Sequence, residues 1–116
     1  MLNIDKCTQK LKDAILESDE YKEYLHCLEA LKREPQLYDK VNYIRRRTFY
    51  VNNNSDLGEE QYANEVMQYI AEYDELKANE IARAFLDAEL VVCRIIQDIN
   101  YRLVEELDLD ISFMEN

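Results

Sequence analysis

Glycine and proline are almost missing from this chain of 116 residues, which holds one of each, Gly58 and Pro35. Tight turns and phosphate-cradling loops usually rely on glycine, because it alone adopts positive φ freely. Its scarcity argues against glycine-rich nucleotide loops and against a sheet fold with many hairpins. Tryptophan is absent and there is one histidine, His26. Basic residues are in deficit: 14 Lys and Arg face 25 Asp and Glu, a formal net charge of -11. Such a charge repels phosphate backbones and anionic membranes, so neither direct nucleic-acid binding nor a membrane surface is expected. No apolar run approaches the ~20 residues needed to cross a bilayer. The opening MLNIDKCTQK lacks the apolar core of a signal peptide. A cytoplasmic protein is the expectation.

The three cysteines, Cys7, Cys27 and Cys93, are odd in number and widely spaced, which makes a poor disulfide framework. Each lies in or beside an apolar stripe, where a free thiol packs as a small hydrophobe. Reduced thiols are expected.

What is present is hydrophobic residues at 47% and an abundance of Leu, Glu, Lys and Ala, the composition of helices. The length fits one domain over residues 1–116, ordered to about residue 110 and closed by an acidic tail, DLDISFMEN. The spacing of Ile4, Cys7, Leu11, Ala14 and Ile15 predicts a first helix over about 3–17. Ser18, followed by Asp19 and Glu20, is a good N-cap for a second. That helix carries Tyr21, Tyr24, Leu25, Leu28 and Leu31 on one side and ends near Lys32 and Arg33. Pro35 suits the first position of a third helix, with Leu37, Val41 and Ile44 inward and an end near Val51. The stretch NNNSDLGEE, 52–60, is the clearest loop. Asp56 with Glu59 resembles a capping box, which predicts a fourth helix over about 57–73 with Tyr62, Val66, Ile70 and Tyr73 inward.

Asn79 is the expected cap of a last, long helix reaching Leu107, about 43 Å at ~1.5 Å per residue. Ile81, Phe85, Ala88, Val92, Ile95 and Ile99 form a heptad-like seam. A second row, Ala82, Leu86, Cys93 and Ile96, runs beside it. Two adjacent rows are wider than one neighbour covers. The fold class expected is therefore all-α, a multi-helix bundle whose long C-terminal helix mediates oligomerisation. The expected interface residues are Phe85, Ala88, Val92, Ile95, Ile96 and Ile99, and the expected partner is a second copy in a homodimer or higher homo-oligomer.

Catalytic and cofactor chemistry finds little support. His26 and Cys27 are adjacent on a helix and point about 100° apart, so they do not converge with Cys7 or Cys93 as zinc ligands within one chain. A metal- or redox-sensing site shared between subunits stays open as the alternative reading. No nucleophile motif surrounds any cysteine. A helical di-metal site needs Glu-x-x-His pairs, which one histidine cannot supply, so Glu65, Glu72 and Glu89 read as solvated faces. No catalytic residue and no cofactor is assigned. Arg45, Arg46 and Arg47 make the only basic run. On a helix they fan over some 200°, which suits intrahelical or intersubunit ion pairs and, as a second possibility, a partner-binding clamp. Of nine tyrosines, Tyr38, Tyr43, Tyr50, Tyr62, Tyr69 and Tyr73 crowd the middle of the chain, at the edge of a core or at an interface.

The segments SDEYKEYL, REPQLYDKVNYIRR and NEIARAFLDAELVVCRIIQDINYRL, with FLDAE (Phe85 to Glu89) the strongest, resemble the YlbF/YmcA/YheA family of small helical bacterial proteins. The likeness spans roughly Ile4 to Leu107. It implies a non-enzymatic helical fold that forms dimers or larger assemblies, including assemblies with related helical proteins of the same family. It also implies a regulatory adaptor: relatives influence competence, sporulation and biofilm formation and assist mRNA processing by an endoribonuclease. Some relatives carry a C-terminal cysteine cluster linked to iron-sulfur binding. Here only Cys93 lies in the C-terminal half, so the resemblance does not bring that cluster.

Overall fold

Local signals set most helix ends. The structure, a computed structural model, describes residues 2–53, 58–107 and 110. It contains α1 (Leu2–Leu16), α2 (Asp19–Lys32), α3 (Pro35–Asn53), α4 (Glu59–Leu76) and α5 (Glu80–Glu106), and no strand among the described residues. Ser18 caps α2, its Oγ accepting from the Tyr21 amide at 3.2 Å. Asn79 caps α5, its Oδ1 accepting from the amides of Ile81 at 2.9 Å and Ala82 at 3.1 Å. Each cap answers amides that the first turn leaves without a helical partner. Pro35 opens α3, where its missing N–H costs no hydrogen bond. Helix α4 starts and ends later than its sequence pattern implies, and its N-cap is Gly58, which has no side chain to cap with. Asp56 of the expected capping box, the side chain of Tyr50 and the acidic tail from Ile111 lie outside what the structure describes.

The core is small. Cys27 and Leu31 from α2, Val41 and Ile44 from α3, Leu76 from α4, and Ala82, Phe85, Leu86 and Ala88 from α5 are buried and form one cluster. Phe85 sits at its centre with no exposed surface. The Tyr24 ring tilts against it at 5.6 Å, and the Arg45 guanidinium covers it at 5.3 Å from the ring centre. Helix α2 packs along α5 and α3 along α4, while α3 links the two pairs.

The expected inward faces are only partly inward. Leu25 and Ile70 are exposed, and Cys27 takes the place in the core that Leu25 was expected to hold. Helix α1 is amphipathic yet buries no residue. Amphipathicity records that a face needs cover; it does not supply the cover. The resulting molecule is flat, 47 × 40 × 16 Å, with a radius of gyration of 17.9 Å. A compact domain of this length has a radius of about 13 Å. The chain exposes 9441 Å², where a compact monomer of its mass exposes about 6,700 Å².

Candidate functional site

Many of the exposed large hydrophobic residues lie on α1 and along α5. Helix α5 is 27 residues long and α2, its main cover, 14, or about 40 Å against 21 Å. Phe85, Val92, Ile96, Ile99, Leu103 and Leu107 fall within roughly 80° of the helix circumference. This stripe enters the core at Phe85 and then runs out of cover: Ile96 is 45% exposed, Leu103 56% and Leu107 55%. Beside it the apolar face of α1 forms the far wall of a groove of about 630 Å³, in which Leu11, Ile15 and Leu16 look across to Val92 and Ile96, with Tyr21 and Tyr24 between.

The six expected interface residues therefore divide. Phe85 and Ala88 are buried in the chain's own core and have almost no surface left for a second subunit. Val92, Ile95 and Ile99 are half-buried, and Ile96 is exposed. The N-terminal part of the stripe is clothed by α2 and its C-terminal part is not. Leu103 and Leu107, which the expected set left out, continue the same register and were recoverable from it.

Among the described residues of one chain, no ion pair of the arginine run lies within its own helix. Two of its members reach other helices of the same chain. Arg45 Nη2 lies 2.8 Å from Glu89 Oε2 on α5, and Arg47 Nη2 lies 2.7 Å from Glu65 Oε2 on α4. These pairs are partly sheltered, and the Glu65 carboxylate raises the Arg47 pKa further above its ordinary value despite the opposing effect of burial. Glu65 and Glu89 are thus counter-ions between helices and not solvated faces. Thr48 Oγ1 shares a hydrogen bond with the Tyr69 hydroxyl at 3.0 Å, adding a second polar tie between α3 and α4. Arg46 is exposed and has no carboxylate within ion-pair distance among the described residues.

The cysteines sit apart in character. Cys7 and Cys93 are exposed and Cys27 is buried. Burial pushes the Cys27 thiol up to about 11, and its Sγ donates to Glu23 Oε1 at 3.3 Å, which favours the protonated form further. Since the thiolate is the reactive species, a thiol reagent at pH 8 should modify the exposed Cys7 and Cys93 and leave Cys27 intact until denaturant is added. Prompt modification of all three thiols would contradict the burial. Among the described residues no three His, Cys, Asp or Glu side chains gather as a metal site in one chain. No helix is long and apolar enough to cross a membrane among those residues.

Fold and surface together define a small all-α protein that offers apolar helix faces and interhelical ion pairs. The comparisons narrow this class. The chain belongs to the family described as control of competence regulator ComK, YlbF/YmcA, whose model matches residues 4–108. It is similar to a UPF0342 protein of Caldicellulosiruptor bescii, 22% identical over 108 residues covering 93% of this chain and 91% of that one. A UPF0342 protein of Desulfitobacterium hafniense is 25% identical over 112 residues, covering 95% and 88%. No solved structure matches the chain significantly.

Proposed function

We propose that this protein is a non-enzymatic, cytoplasmic regulatory adaptor that works as a homo-oligomer and acts by holding protein partners together. The observation that supports this reading best is the apolar stripe of α5, continuous from the core to Leu107 but covered only at its start. Its simplest closure is a two-fold pairing of antiparallel α5 helices centred near Ile96 and Ile99. Leu103 of one copy then lies over Val92 of the other, in the groove whose far wall is α1. Both uncovered stripes are buried at once, as an isologous contact requires.

The family's description as a control of a competence regulator supports a regulatory role exerted through protein contacts. Assistance to mRNA processing fits the same reading, with the chain engaging the processing proteins and not the RNA, whose phosphates a net charge of -11 repels. Light scattering on the purified chain tests the assembly: a mass of two or more times 13.9 kDa at micromolar concentration is expected. A mass of one chain under those conditions would remove the proposal.

A further inference from the structure

A second uncovered surface lies elsewhere on α5. Helix α4 packs along α3 and makes no comparable contact with α5, so the α3–α4 pair stands away from α5 over a cleft of about 900 Å³. One wall is aromatic, with Phe49, Tyr69 and Tyr73; the other is Leu86 and Leu90 of α5, and Arg45 and Arg46 border it. The charges there are not balanced alike. Arg45 is neutralised by Glu89 at 2.8 Å, whereas Arg46 has no such counter-ion among the described residues.

We propose that this cleft is a docking seat for an amphipathic helix of another protein, one that sets a carboxylate against Arg46. The inference rests on the adaptor reading and supplies its client face. Aromatic walls are what helix anchors pack into, and a guanidinium at the rim pairs with a carboxylate in a fixed geometry. The occupant is a helix because every wall is helical. Such walls have spent their backbone donors and acceptors internally and offer no ladder to an extended peptide, while a helical guest satisfies its own backbone. RNA does not fit a cleft whose lining holds, among the described residues, one cation without a counter-ion, in a chain of net charge -11. A second copy does not fit either. The cleft side of α5, carrying Leu86, Leu90 and Gln97, lies roughly 120° around the helix from the Phe85–Ile96–Leu103 stripe, with Cys93 between them bordering both the cleft and the α1 groove. An α5 pairing that covers the stripe leaves the cleft open.

The test uses two short synthetic amphipathic helices with the same leucine anchors, one flanked by glutamates and one by lysines, titrated onto the full chain by fluorescence anisotropy. The overall charge favours the lysine peptide at long range, so a local preference for glutamate is diagnostic. The glutamate peptide should bind about tenfold tighter or more, the effect of one charge-assisted contact. Arg46→Glu, an exposed change that leaves helicity intact, should invert the preference, and Leu90→Asp should abolish binding of both. The Ile96→Asp variant should retain the preference even as it disrupts self-association, which separates failure of the seat from failure of the oligomer. Equal binding, a preference for lysine, or indifference to Arg46→Glu overturns the proposal. So does binding to Ile96→Asp but not to the wild type, which would place a second copy in the cleft.

Discussion

Phe85→Ala is expected to lower the stability of the folded chain by ~3–5 kcal/mol, the cost of removing a large buried aromatic ring. The ring is fully enclosed and touches the elements that the fold depends on: Tyr24 from α2 tilts against it at 5.6 Å and Arg45 from α3 covers it at 5.3 Å. Small domains hold only about 5–15 kcal/mol in total. This core is thin, because α1 contributes nothing to it and α4 contributes Leu76. The loss therefore takes most of the reserve. A further part of the cost falls on Arg45, whose guanidinium keeps its partner Glu89 but loses the ring beneath it. Urea unfolding followed by circular dichroism, at fixed protein concentration because association adds to apparent stability, measures the change. A loss below about 1 kcal/mol would mean that the site collapses around the cavity and that Phe85 is not the keystone its burial indicates.

The elements legible in the sequence were those written in neighbouring residues. Ser18 and Asn79 cap helices because a short polar side chain meets an amide two or three positions on, and Pro35 opens one because its ring allows little else. Helix α4 was placed less well: its start rested on Asp56, and Gly58 holds the cap position. The ion pairs were beyond reach for a different reason. Arg45 finds Glu89 and Arg47 finds Glu65 only once α3, α4 and α5 have been arranged in space, and nothing in the composition of the triplet distinguishes Arg46, which is left over. The seam on α5 marks an intermediate case. Its register places Leu103 and Leu107, absent from the expected set, in line with Phe85, Val92, Ile96 and Ile99, but an apolar side chain is the same whether its own chain or another covers it. Phe85 and Ala88 were assigned to the interface on that ambiguity and belong to the core.

The same stripe supplies the sharpest test of assembly. Ile96→Asp should convert the proposed oligomer to single chains at micromolar concentration while leaving each chain folded. Ile96 is 45% exposed within one chain, so an aspartate there remains hydrated and changes the chain's own stability by little, in the manner of surface substitutions. In the proposed two-fold pairing the residue lies near the axis and occurs once in each copy, so two carboxylates are brought together in an apolar seam. Burying an unpaired charge costs several kcal/mol, and each 1.4 kcal/mol weakens association tenfold; a thousandfold rise in Kd, about 4 kcal/mol, is a modest expectation. Light scattering reads the mass and far-ultraviolet circular dichroism reads the helices. Ile95→Asp, half-buried in the chain, should dissociate the oligomer as well but also lower the melting temperature, so the pair of variants separates loss of assembly from loss of fold. An Ile96→Asp protein with wild-type mass would place the partner somewhere other than this stripe, and α1 and the end of α5 would then need a different cover.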